Sequence, residues 1–159
     1  MTLEIEPAQS ADVAVVTDMW VSLACGQRAY DSAIRADENR ERMRETLAAH
    51  AAADALLVAR LDGTVVGFAS FSIERGALEL DVTRGTLSNL YVDPDYRDQG
   101  IGTALLEEVE ASLAERGVDV VRLEVMAANE SARRFYRKRG YDPHRLTMGR
   151  SIATDDGEQ

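Results

Sequence analysis

The sequence predicts an α/β (α+β) fold: one mixed central β-sheet flanked by helices on both faces, with one parallel β-α-β crossover. Three observations carry the prediction. Short apolar segments separated by turn signals fill residues 55–92, the pattern of antiparallel hairpins. A strand, a helix and a second strand follow one another over residues 86–126, and such a run makes a right-handed parallel crossover. The 159 residues, 45% hydrophobic and 29% charged, suit one domain with a core of its own. That domain is expected over residues 1–153, followed by an acidic, frayed tail at 154–159.

Each element has its own signal. Residues 2–6 alternate and read as a first strand stopped by Pro7. Ser10 is a good N-cap. Val13, Val16, Trp20 and Leu23 then fall at helical spacing, so residues 11–24 form an amphipathic helix ending near Gly26. A second helix is expected over 37–53, with Met43 and Leu47 on its apolar face. Strands at 55–61 and 64–74 flank the hairpin signal Asp62-Gly63. Leu78, Leu80 and Val82 alternate with Glu79 and Asp81 as a further strand, and 86–92 is the next, stopped by Asp93-Pro94. A helix over 102–116 buries Leu105, Leu106, Val109 and Leu113 and ends at Gly117. Residues 118–126 are strongly β. Asn129 caps a short helix over 130–139, ended by Gly140, and 141–152 closes the chain as a strand.

Composition excludes several functions. The formal net charge is −10, from 28 acidic against 18 basic residues, which argues against a nucleic-acid face and against docking on an anionic membrane. No segment approaches a membrane span, and the first ten residues lack the pattern of a signal peptide, so a cytoplasmic protein is expected. Cys25, the single cysteine, excludes an internal disulfide and reads as a small buried side chain. His50 and His144 lack ligand spacing, and no metal site is expected. Seventeen of the 18 basic residues are arginine, with Lys138 the single lysine; a salt-adapted surface and a genomic bias fit that count equally.

The chemistry concentrates in two stretches. Residues 90–103 end a strand, turn, and open a helix at Gly100 and Gly102. Glycines there let backbone N–H groups approach a ligand, and the helix N-terminus adds partial positive charge, so the loop suits a pyrophosphate. It is neither a Walker loop nor a dinucleotide fingerprint. On the two glycines alone, a tight turn without a ligand fits equally well. The second stretch runs from the strand around Glu124 through Asn129, Ala132, Phe135 and Tyr136 to Gly140-Tyr141.

Arg97-x-x-Gly100-x-Gly102 resembles the acetyl-CoA signature of the GNAT N-acetyltransferase superfamily, and Asn129-x-x-Ala132-x-x-x-Tyr136-x-x-x-Gly140-Tyr141 resembles its second motif. The detailed resemblance covers residues 86–141. It implies a splayed sheet with the thioester in the gap between strands 86–92 and 118–126. It implies that the Leu90 N–H polarises the acetyl carbonyl and that Val92 pairs with the pantetheine, with Tyr91 between them. Backbone N–H groups from Arg97 through Asp98, Gln99, Gly100, Ile101 and Gly102 to Thr103 would hold the pyrophosphate. Asn129, with Ala132, would border the pantetheine, and a homodimer through the last strand is the implied assembly.

The implied reaction is attack of a neutral amine on acetyl-CoA in a ternary complex, making the chain a transferase of acyl groups. Tyr136 would protonate the departing thiolate; it also reads as a core aromatic. Family members with a glutamate base often carry it near the start of the strand before the phosphate loop. This sequence has Thr86, Ser88 and Asn89 there. Glu124 is the better candidate, because its spacing to Tyr136 resembles that of bacterial ribosomal-protein N-terminal acetyltransferases. A solvated or ion-paired carboxylate fits Glu124 equally. Glu79 and Asp81 are weaker candidates that could attract a cationic acceptor. The run 133–139 is a solvated helix face or a site for the CoA 3′-phosphate, with Arg134 or Arg137 as its contact. The acceptor, whether a small amine, a protein N-terminus or a lysine, has no signature in residues 24–39. The competing function is an acyl-CoA-binding regulatory module without catalysis.

Overall fold

The structure, a computed structural model, describes residues 2–74 and 78–153. The expected tail at 154–159 lies outside them. Strands β1 (Leu3–Pro7), β2 (Leu56–Leu61), β3 (Thr64–Ile73), β4 (Arg84–Val92) and β5 (Val120–Leu123) form one sheet in the order β1-β2-β3-β4-β5. The first three pairings are antiparallel and β4 pairs with β5 in parallel. Helix α3 (Ile101–Glu115) makes the crossover between the parallel strands. Helices α1 (Val13–Gln27), α2 (Arg40–Ala52) and α4 (Glu130–Lys138) complete the elements. Two compact units meet at the boundary between Ala128 and Asn129: the sheet with α1–α3, and a short unit containing α4.

The alternation of β3 sorts two cores. Phe68 is buried on one face, where it joins Val16, Trp20, Leu47, Leu56, Val58 and Tyr91 beneath α1 and α2. Burying a side chain of that size contributes about 1.5–3 kcal/mol. Gly67 and Phe71 lie on the opposite face, under α3. A Cβ on Gly67 would lie 3.4 Å from Leu105 Cδ1 and only 2.6 Å from the Tyr91 carbonyl oxygen, and the Arg116 guanidinium sits over the Phe71 ring. The buried α3 residues are the ones its periodicity names: Leu105, Leu106, Val109 and Leu113.

The clash at Gly67 is with backbone of β4, so no side chain can move aside. Gly67→Ala is expected to destabilise the protein by about 1–3 kcal/mol, read as a lowered midpoint of chemical denaturation.

Several expected elements differ. Ser10 does not cap α1 directly; it opens a 3-10 turn, Ser10–Asp12, whose cap is Gln9. The Asp12 carboxylate accepts the Gln9 N–H at 2.8 Å and Arg60 Nη2 at 2.6 Å. Cys25 is exposed rather than buried, because the stripe through Val16, Trp20 and Ala24 turns it one residue past the core face. Residues 78–82 form no strand. Leu78 is 81% exposed, and β3 pairs directly with β4, so the segment adds no strand between them. β5 is four residues long and ends before Glu124. Residues 141–153 carry neither helix nor strand. Leu146, Met148 and Ile152 alternate as a strand requires but stand 81–89% exposed, without a partner strand to bury them.

Candidate active site

β4 changes character midway. Ser70 pairs with Asn89 and Phe71 with Leu87, so Ser88 is an extra residue, a β-bulge. One extra residue flips every later side chain to the other face. Leu87 therefore shares the α3 face with Gly85, whereas Tyr91 enters the α1–α2 core, although both have odd numbers. The β5 ladder stops at the same place: its last pair is Leu87 with Leu123. From Ser88 to Val92 the strand keeps β3 on one side and receives no pairing from β5 on the other.

Backbone direction along this open edge follows from one hydrogen bond. Asp93 N–H donates to the Val66 carbonyl on β3 at 2.8 Å. Alternation then aims the N–H groups of Tyr91 and Asn89 at β3, and those of Leu90 and Val92 at the open side. Tyr91, whose ring centroid lies 6.2 Å from that of Phe68, is buried. Its side chain is part of the α1–α2 core. The Val92 carbonyl also faces the open side and accepts Arg97 Nε at 2.8 Å.

The loop that follows is built by its own side chains. Asp93 Oδ1 accepts the Asp95 N–H at 2.9 Å and starts a 3-10 turn, Pro94–Tyr96. Arg97 stacks over the Tyr91 ring at 5.5 Å. Asp98 and Gly100 are left-handed, at φ 62° and 83°, and Gly100 is the N-cap of α3. Gln99 is exposed, and Ile101 buries its side chain, so only its backbone is available to a ligand. The first-turn amides of α3, which include those of Ile101, Gly102 and Thr103, form its positive end. A Cβ at Gly100 would meet nothing within 4 Å. The glycine is required by its φ alone, at roughly 1–2 kcal/mol for an L residue. Gly100→Val is expected to destabilise the protein by about 1–2 kcal/mol, measured as a lowered midpoint of chemical denaturation.

Glu124 is exposed, one residue beyond β5. Tyr136 belongs to the second unit. Within that unit it makes edge contacts with Phe135 (centroids 5.1 Å) and Tyr141 (5.8 Å), and its carbonyl accepts the Tyr141 N–H at 3.1 Å. Burial pushes the Tyr136 phenol up to about 12. Asn129 caps α4, its Oδ1 accepting the Ala132 N–H at 3.1 Å. Arg133, Arg134 and Arg137 line one open depression with Glu130, on a single face of α4. Arg134 and Arg137, the two expected contacts, both belong to it. Two features carry no expectation from the sequence: the bulge at Ser88, and an ion cluster of Glu74 with Arg84 and Arg122. The bulge had one signal, the polar pair Ser88-Asn89 between Leu87 and Leu90.

The profile of the acetyltransferase (GNAT) family matches residues 17–141, a span that crosses the boundary between the two units. The [Ribosomal protein bS18]-alanine N-acetyltransferase of Escherichia coli (strain K12) is 38% identical over 90 residues, 57% of this chain and 58% of that protein. The matching part thus spans less than two thirds of that relative. The crystal structure of a GCN5-related N-acetyltransferase from Ralstonia eutropha JMP134 superposes with a TM-score of 0.76 at 25% identity, covering 96% of this chain and 100% of the other. The PaiA N-acetyltransferase from Thermoplasma acidophilum, solved in complex with coenzyme A, has the same fold, with a TM-score of 0.76 at 22% identity over 92% and 94% of the two chains.

Proposed function

The chain belongs to the acetyltransferase (GNAT) family, and on that footing we propose that it transfers an acetyl group from acetyl-CoA to a primary amine by direct attack in a ternary complex. The observation that carries the reading is the open edge of β4, running from the bulge at Ser88 to the left-handed Gly100. Leu90 and Val92 offer backbone donors there, and α3 ends the run with a positive helix terminus. These groups fit an extended, amide-containing chain that ends in a pyrophosphate.

Acetyl-CoA supplies an activated thioester when bound. In this reading the Val92 backbone aligns the pantetheine, and the Leu90 N–H stabilises negative charge as it develops on the carbonyl oxygen. Backbone groups from Arg97 to Thr103 hold the pyrophosphate. Arg134, with its neighbours on α4, takes the remaining phosphate, and Asn129 and Ala132 border the pantetheine. Glu124 accepts the ammonium proton of the amine, and Tyr136 gives its phenolic proton to the departing sulfur. Residues 1–153 act as one N-acetyltransferase domain, which the family match across both units supports.

The acceptor is an amine on a small molecule, a protein N-terminus or a lysine. The relative that acts on the alanine of ribosomal protein bS18 supports the N-terminal variant. We place the reaction in the cytoplasm, where acetyl-CoA is available. The test is thiol release from acetyl-CoA with a panel of amines, preceded by thermal shift. Acetyl-CoA at about 100 times its Kd raises stability by about 2.7 kcal/mol. Thiol release with at least one amine is expected; binding without release on any amine would overturn the reading.

A further inference from the structure

We propose that Arg84 and Arg122 form a carboxylate-binding element, so that the preferred acceptor is a primary amine carrying a carboxylate several bonds from its nitrogen. The inference rests on the acetyl-transfer reading above and adds the chemical class of the acceptor.

The α1–α2 face of the sheet changes along the β3–β4 ladder. Toward Val92 it is apolar, with Phe68 opposite Tyr91, both buried in the core. Beyond them it turns polar. Asn89 Nδ2 donates to Ser70 Oγ at 2.9 Å, Ser72 faces Thr86, and Glu74 lies against Arg84, whose carbonyl accepts the Glu74 N–H at 2.8 Å. β5 adds Arg122, paired with Thr86. This polar strip runs alongside the β4–β5 ladder, from its first pair at Arg84 and Val120 past its last at Leu87 and Leu123.

Glu74 bridges the two cations. Its Oε1 accepts from Arg84 Nη2 and its Oε2 from Arg122 Nη2 at 3.0 Å. The Arg84 guanidinium, with Arg122 behind it, holds the Glu74 carboxyl below the usual carboxylate range. The side chains of Arg84 and Arg122 remain 19% and 26% exposed, so a solute reaches them. A clamp between strands would be complete with one guanidinium for one carboxylate. Here a second cation is left over in a chain of net charge −10. The Nε atoms of both arginines are buried without a hydrogen-bond partner. Buried donors are ordinarily paired, and a guanidinium presents five of them in a fork suited to carboxylate. With one carboxylate for two partly exposed guanidinium groups, the cluster is under-saturated by one anion.

Position gives the ligand its shape. Arg122 precedes Glu124 by two residues. At about 3.3 Å per residue for extended chain, Arg122 on β5 and Glu124 just past its end are at most roughly 6–7 Å apart along the backbone. An acceptor that meets both has its amine and carboxylate separated by about that length. A peptide N-terminus followed by aspartate or glutamate fits, and so does an ω-amino acid; a free α-amino acid is too short.

The experiment compares matched acceptors in thiol-release assays: Ala-Asp-amide with Ala-Asn-amide, and 5-aminovalerate with 5-aminovaleramide. The two pairs distinguish a peptide source of the carboxylate from a small-molecule one. The carboxylate member of at least one pair is expected to show a kcat/KM about tenfold higher or more, and that ratio is expected to fall toward one in Arg84→Gln and Arg122→Gln. A second measurement needs no variant: pentanoate should compete with the amine acceptor, and pentanamide should not. Equal use of acids and amides, with no competition by pentanoate, would overturn the carboxylate site while leaving acetyl transfer intact. No turnover on any amine would overturn the parent reading instead.

Discussion

Tyr136→Phe is expected to lower the kcat of acetyl transfer by about 100- to 10,000-fold, with the Kd for acetyl-CoA changed no more than about twofold. The change removes one oxygen and keeps the ring, so the edge contacts with Phe135 and Tyr141 survive. The loss falls on the proton that the departing sulfur needs. Burial pushes the phenol up to about 12, so it stays protonated at every pH at which the enzyme would be assayed. Tyr136 should therefore contribute no descending limb to the rate profile below about pH 10. The same shift has a stability consequence with a definite sign. The folded state holds the proton more tightly than the unfolded state, whose phenol titrates near 10. Stability is intact below that pH and declines as pH climbs from there toward 12. Tyr136→Phe should remove this alkaline decline, read as denaturation midpoints compared at pH 9 and 11. Stopped-flow turnover and calorimetric titration of acetyl-CoA check the catalytic claim. Unchanged turnover would return Tyr136 to the part of a core aromatic.

Glu124→Gln is the second large effect. At pH 7 the variant should lose about 100-fold in kcat/KM for the amine, because glutamine cannot accept the ammonium proton. The deficit should shrink as pH rises, since the acceptor then arrives already neutral. The pH at which it closes reports the acceptor: near 8 for an α-amine, and above about 10 for a lysine-type amine. Glu124 sits exposed at the end of β5, where a solvated carboxylate would also be at home. A pH profile parallel to that of the wild type at all values would show that it is one.

The two motifs were legible because each is local. Gly100 is needed for a left-handed residue that caps α3, Asn129 for the cap of α4, and Gly140 for the positive φ that follows it. Such demands are written in a few consecutive residues. The helices were legible for the same reason. The stripe from Val13 to Ala24 and the stripe from Leu105 to Leu113 each follow from a period of 3.6 residues.

Strand alternation was a poorer guide. Leu78, Leu80 and Val82 alternate as well as any strand in the chain, and so do Leu146, Met148 and Ile152, yet neither segment is a strand. Alternation states what a strand would bury if a partner were available, and only the sheet decides where edges are. Tertiary structure alone also decided the bulge at Ser88, the end of the β4–β5 ladder at Leu87, and the meeting of Glu74, just past β3, with Arg84 on β4 and Arg122 on β5. The sequence by itself determined the helices, the glycine loop and the motif residues, because those depend on neighbours along the chain. The open edge of β4 and the surplus cation beside it depend on pairings between residues up to 48 positions apart, such as Glu74 with Arg122, which no local pattern encodes.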